Sequence, residues 1–561
     1  MFNFTLTSLC RVTAFLLTGL LTTASAFAQS TSGSLPRLAT ESLTLPANWQ
    51  RAGSVIASPT QATFKTSGGS NLLIGNAGQG LTIINNAPDF ALQADLLITP
   101  GASGQLTLPT GQTLPLTDAR LNKAPGLWQK LDLRYRAATP TRPATLERLA
   151  INGVTVREGV TLNRAATNGP VVLTVQNGSM AVRNLGYRAL NNRNVAQWAG
   201  PITYTIYDGE NPDKTEARKF KVLKQDTTSA ISYESSYGQK SRNYSMVFGG
   251  KLNTTDAGTY QFDLDYGGRA SLYVDSKAVI KGDYKDLGPQ QSASVPLTAG
   301  THEIEVVLAR TPWIRAGLGL FISLADTRPQ ALHTQASLPE PNPVSQISVQ
   351  ADAKPALIRS FVQLPGEKLK RTHALSVGTP AGMHYTLDLN QMALLQVWKG
   401  DFADVTEMWY ERGEPQLLKP LGANVLLAPQ TALMVLNDAN AAWPDSVSET
   451  ILQYRGLSLD KQGMPTTEYT LGGVSVTDAI RPVTDGLTRT LTVTGTANGP
   501  LVCRLVAGNQ IEEIEKGLYA INDRSYYIRL DPKLKPVIST ISGKQELRLP
   551  VKGGVSYEIV F

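Results

Sequence analysis

Cysteine is almost missing from this chain. Its 561 residues hold two, Cys10 and Cys503. Cys10 falls in an N-terminal segment expected to be removed, so no intrachain disulfide and no Cys₂ or Cys₄ zinc site is expected, and stability must come from large cores. Cys503, in the alternating run LVCRLV, reads as a buried strand residue. Histidine is also scarce: there are four, and none lies between residues 29 and 190. The G-x-S-x-G, P-loop and H-E-x-x-H signatures are absent, and GNAGQG at 75–80 lacks the lysine of a phosphate loop. After the N-terminal segment there is no long apolar run, so no membrane span is expected. Net charge is +7, but lysine and arginine are scattered and form no block. That distribution argues against nucleic acid as a partner.

What is present begins with an export signal. Arg11, the apolar run VTAFLLTGLL and Ala26-Phe27-Ala28 fit a cleavable signal peptide over 1–28. The expected location is therefore the periplasm, the cell surface or the medium. Beyond it, Val, Thr, Leu and Tyr alternate with polar residues, and 48 glycines and 33 prolines punctuate short runs. No segment keeps a helical period. The fold class expected is all-β: a jelly roll over 35–190, a β-sandwich over 200–325, a linker over 326–349 and a large β-sandwich region over 350–561. The stretch ERLAINGVTVREGVTL (147–162) is the clearest local signal. Asn152-Gly153 between two alternating runs predicts a two-residue type I′ hairpin. The terminal YEIVF reads as a last sandwich strand.

In the first region, FALQADLLITPGASGQLTL, APGLWQKLDLRYRA, LERLAINGVTV and GPVVLTVQNGSMAVRNLGYRAL follow one another. In that order they resemble the 3-keto-disaccharide hydrolase family. The resemblance implies a concanavalin-like jelly roll that cleaves glycosidic bonds in sugars oxidised at C3. The stretch that would carry the family's carboxylate is TGQTLPLTD, where Asp118 is the one acid, and Asn177 stands where the family tends to place histidine. Glycosidic cleavage normally uses two carboxylates. The acids on offer are Asp89, Asp95, Asp118, Asp132, Glu147 and Glu158. Asp95 and Asp132 are expected to face solvent, and Asp118 is the candidate catalytic residue. Gln105, Gln176, Asn177 and Arg183 are candidate sugar-binding residues, with a plain role on a wet sheet face as the alternative.

In the second region, RNYSMVFGGKLNTTDAGTYQFDLDYGGRASLYVDSKAVI and LTAGTHEIEVVLAR resemble the protective-antigen-type β-sandwich of bacterial glycosidases, toxins and yeast adhesins. The resemblance implies a calcium ion held by an aspartate pair. Here the pair is Asp265-Tyr266, so one carboxylate is missing. Asp263 and Asp265 share a strand face and remain the candidate metal ligands, with calcium as the candidate cofactor. Tyr266 is a candidate stacking residue. In the third region, VGTPAGMHYTLD, WKGDFAD and WYERG resemble a module found with exported sugar dehydrogenases and c-type cytochromes. Envelope sugar-oxidation proteins are therefore candidate partners. Trp398, Trp409 and Arg412 form a candidate stacking platform. His373 and His384 are expected to be structural, since metal ligation would need a third partner such as Asp388.

Three functional readings stay open. One is a binding or scaffolding protein for glycans or keto-sugars. Another is a working 3-keto-disaccharide hydrolase or lyase. The third is a structural protein without a sugar. A carboxylate on the ligand face of the first region would separate the first two.

Overall fold

The hairpin at 147–162 forms as its chemistry requires. Ile151 pairs with Val154 across a two-residue turn, with Asn152 at φ 52° and Gly153 at φ 84°. The computed structural model describes residues 35–561 except 163–168, 289, 311, 340–343, 411–415 and 439–440. The expected signal peptide lies outside the described residues. Almost every regular segment is a strand. The α-helical segments, Lys214–Ala217 and Thr406–Trp409, are single turns. No helix of the described residues is long and apolar enough to cross a membrane.

Residues 35–190 build two antiparallel sheets. The larger runs Trp49–Ile56, Lys65–Asn76, Ser179–Ala189, Phe90–Ile98, Trp128–Arg136, Thr145–Ile151, Val154–Thr161. The smaller runs Leu81–Ile84, Val171–Asn177, Ser103–Thr107, Thr113–Pro115. Between them lies a core that includes Phe90, Leu133, Tyr135, Val171, Val175 and Met180. Residues alternate between this core and the outer faces with period two.

The second region repeats the arrangement. Gly258–Tyr266 turns Tyr260, Phe262, Leu264 and Tyr266 inward, and leaves Gln261, Asp263 and Asp265 partly exposed. That strand sits in a four-stranded sheet opposite a seven-stranded one. The third region holds six-, eight- and four-stranded sheets around one core, from Leu375 to Phe561. The final strand, Gly554–Val560, lies inside the eight-stranded sheet, and Phe561 is fully buried. Cys503 is buried in this core, which pushes its thiol up to about 12. The same core encloses Arg489, whose Nη2 lies 2.6 Å from Asp478 Oδ2. Burying the two together keeps either charge from standing alone in an apolar interior.

The segment read as a linker is built into the fold. Gln330–Ala331 extends the four-stranded sheet of the second region, and Ser348–Val349 pairs with Ala403 and Asp404. Arg328 reaches back to the first region, with Nε 2.7 Å from Asp89 and Nη1 3.1 Å from Glu147. The first and third regions also touch. Ala124 and Leu127 share an apolar cluster with Leu518, Ala520, Tyr527 and Val560. The described parts of 326–349 are thus held by two strand pairings and by the ion pairs of Arg328.

Candidate functional site

The small sheet of the first region gathers three of the residues singled out from sequence. Strand Val171–Asn177 pairs Thr174 with Gln105 and Asn177 with Ser103, and the register shifts between Val175 and Asn177. That shift is a bulge, which adds one residue and re-aims the side chains beside it. Gln176 and Asn177 are consecutive, yet both are exposed. Gln176 Nε2 donates to Gln105 Oε1 at 2.8 Å, and Asn177 Nδ2 donates to Ser103 Oγ at 3.3 Å. Thr107, Thr113 and Thr174 continue the face on alternate positions. The four strands of this sheet contain no Asp or Glu.

The acids of the first region are held elsewhere. Asp118 caps its own turn: Oδ1 accepts from the Arg120 N–H at 2.9 Å, and Oδ2 lies 3.6 Å from the Arg120 guanidinium. Asp89 accepts from Ala137 N and pairs with Arg328. Glu147 pairs with Arg136 at 2.6 Å. Asp132 accepts from Gln93 at 2.9 Å. Glu158 is exposed, as expected. Asp95 corrects the sequence reading. Its side chain is 17% exposed, beneath Arg183 and Asn184, rather than facing solvent.

Arg183 belongs to a different surface from the glutamines. It lies on the large sheet, with its guanidinium 3.9 Å above the Trp128 ring. Nε contacts Asp95 at 3.2 Å, while Nη1 and Nη2 grip Asp523 of the third region at 3.0 and 2.6 Å. Each of its three nitrogens already contacts a carboxylate.

The second-region candidates come together without forming a cation site. Asp263 accepts from Ser292 at 2.5 Å and Gln261 at 3.3 Å. Asp265 accepts from Gly288 N at 3.1 Å and lies 3.5 Å from Lys285 Nζ. Burial raises the Asp265 carboxyl above its usual range, against the pull of Gly288 and Lys285. Calcium takes six to eight oxygens. Two carboxylates, one already beside an ammonium, do not fit that demand, and no group of three His, Cys, Asp or Glu able to hold a metal exists among the described residues. Tyr266 offers no stacking face, which corrects the expectation. It is fully buried, its hydroxyl donates to Asp283 O at 3.0 Å, and Lys285 sits over its ring.

The third-region platform also separates. Trp398 is fully buried, donates to Phe402 O at 2.8 Å and stacks on the Phe402 ring. It is core, not a platform. Trp409 is 72% exposed on its short helix, and Arg412 lies outside the described residues. His384 packs against Trp398 and Phe402; Nδ1 accepts from Thr379 N and Nε2 contacts Gly400 O. Burial pushes its pKa down, so it stays neutral and structural. Asp388 is taken by Arg371 at 2.8 Å.

One feature escaped the sequence reading. YESSYGQKSRNY (233–244) meets Arg310, Pro312 and Trp313 around a cleft of about 330 Å³. Only the lone Trp after Pro312 hinted at it.

The sequence matches no family model and no curated protein. Solved structures resemble parts of it. A β-glucosidase from Kluyveromyces marxianus in complex with glucose is 12% identical over 22% of this chain, with TM-score 0.20. The chain spans 16% of that enzyme's length. The epithelial adhesin 9 A domain of Candida glabrata, in complex with Galb1-3GlcNAc, is 14% identical over 26% of this chain and 91% of its own, with TM-score 0.19. A GH31 α-xylosidase from Xanthomonas citri is 11% identical over 51% of this chain and 31% of its own, with TM-score 0.20.

Proposed function

We propose that the chain is an exported, carbohydrate-associated protein that holds glycans or keto-sugars on the outer face of the small first-region sheet. One observation carries this reading: the amide and hydroxyl row of exposed Gln176 and Asn177 and partly exposed Gln105 and Ser103, on strands without a carboxylate. An amide both donates and accepts, so paired amides match the vicinal hydroxyls of a sugar. Cleavage would need acid–base groups that this face does not supply. Its expected place is the periplasm, cell surface or medium, beside envelope sugar-oxidation proteins. A second reading, an active 3-keto-disaccharide hydrolase or lyase, rests on Asp118. That residue follows the strand Thr113–Pro115, whose Pro115 lies opposite Gln105.

The test offers 3-keto-disaccharides and their unoxidised parents to the full chain and follows both retention and free monosaccharide. Retention without release is expected. Gln105→Ala with Gln176→Ala should weaken it about thirtyfold, since two lost hydrogen bonds are worth about 2 kcal/mol together. Release that disappears in Asp118→Asn would establish the enzyme instead.

A further inference from the structure

We infer that the cleft between residues 233–244 and Arg310, Pro312 and Trp313 binds a carboxylate-bearing pyranose, a uronic-acid unit, with Arg310 and Arg242 taking the carboxylate and Trp313 and Tyr237 the ring. The inference stands apart from the amide face, since the two sites share no residue and lie in different regions.

The cleft's charge is of one sign. Arg242 and Arg310 line it, and among the described residues no Asp or Glu does. The nearest acid in sequence, Glu234, is already bound to Ser232 Oγ at 2.6 Å and Thr334 Oγ1 at 2.5 Å. Arg310 ends the strand Gly300–Arg310, opposite Tyr244. Its Nη1 is shielded from solvent and has no hydrogen-bond partner among the described residues. Arg310 as a whole is only partly buried where it lines the cleft, and arginine's planar fork suits a carboxylate.

The aromatic groups supply the rest. Trp313 is 90% exposed and Tyr237 66%. Trp313 also holds φ 75°, a left-handed backbone that a bulky residue adopts only at a cost. Strain of that kind gathers at ligand sites. Beneath them the wall is ordered in advance. Tyr244 Oη donates to Ser236 Oγ at 2.9 Å and meets Tyr233 Oη at 3.1 Å, while Tyr233 and Tyr237 pack edge to face. Exposed rings over a fixed hydroxyl network, with cations at one end, select an acidic sugar over a neutral one. The volume of about 330 Å³ lies within the range of small-ligand sites.

The experiment titrates the full chain with galacturonate oligomers, monomeric galacturonate and the matching neutral galactose oligomers, by calorimetry and tryptophan fluorescence. Acidic oligomers should bind at least tenfold more tightly than neutral ones. Arg310→Gln and Trp313→Ala should each weaken them at least tenfold, while Gln105→Ala with Gln176→Ala changes nothing. Trp313→Ala guards against a folding artefact, because its side chain is 90% exposed and alanine keeps the same backbone demand. Binding by the monomer as well supports a one-residue site; binding by oligomers alone supports a chain-reading one. Equal affinity for neutral and acidic sugars, no binding of uronates, or an unchanged titration in Trp313→Ala overturns the inference.

Discussion

His302 shows how one side chain ties stability to pH. Its Nδ1 lies 2.8 Å from Asp275 Oδ2 and its Nε2 3.0 Å from Thr298 O. Burial alone would lower its pKa. The Thr298 carbonyl and the Asp275 carboxylate outweigh burial, and the net shift is upward from 6.5. The folded chain therefore binds this proton more tightly than the unfolded chain. That contribution is complete below 6.5 and is lost as pH rises through the folded value. Asp275 is shifted down from 3.8, so its share is lost as pH falls through its folded value. The pair thus stabilises most between 3.8 and 6.5. His333 and His384 run the other way, because burial lowers both and protonation of the unfolded chain removes stability below 6.5. Comparison of His302→Gln with the unaltered chain isolates the one term. The variant should be less stable by at most about 1 kcal/mol near pH 5.5, since Asp275 is half exposed, and the gap should close by pH 8. Urea midpoints across that range read it, and a gap independent of pH would remove the ion pair from the account.

At the scale of elements, the Asn152-Gly153 turn separates backbone strain from side-chain anchoring. A Cβ on Gly153 meets nothing within 4 Å, yet φ is +84°. Gly153→Ala should therefore cost about 1 kcal/mol from strain alone. Asn152→Gly keeps the backbone free but removes bonds to Leu121 O, Gln129 Oε1 and the Lys130 N–H, at 2.9, 2.7 and 2.9 Å. It should cost more, about 2 kcal/mol. Thermal denaturation of the two variants ranks them, and the reverse order would show the anchors to be idle. This hairpin was legible because its information is local: two residues that tolerate positive φ between runs of period two. The same alternation made the all-β class readable, and it placed Cys503 inside. The bulge at Gln176 was not legible, because a register shift depends on the neighbouring strand. Tyr266 misled for a related reason. Its alternation with Asp263 and Asp265 already pointed it inward, but the family resemblance drew attention to the turn instead.

At the scale of the molecule, the sequence carried the three regions as patterns but not their contacts. Arg183 looked like a free cation on a wet strand. Its partners are 340 residues away in Asp523 and 88 away in Asp95, which no spacing rule reaches. The opposing loop is itself unusual. Asn522, Asp523 and Arg524 take φ 48°, 56° and 60° in succession, a left-handed run without glycine. That conformation presents Asp523 to Arg183, while Arg524 donates to Ala57 O at 2.7 Å and accepts from Trp128 N through its carbonyl. Docking against the first region thus holds a backbone that would otherwise relax. Gly126 adds a steric condition, because a Cβ there would lie 2.5 Å from the Tyr527 hydroxyl. Arg183→Ala should therefore destabilise the chain by about 1–2 kcal/mol, through loss of the fork on Asp523 and of a cover over Trp128. Arg183→Lys should restore less than half of that, since an ammonium cannot span both carboxylate oxygens. Hydrogen exchange over 124–128 and 518–527 should quicken in Arg183→Ala while the Gln105–Gln176 sheet is unchanged. If glycan retention fell instead, with exchange untouched, Arg183 would be a ligand residue after all and the interface would owe its hold to the apolar cluster alone.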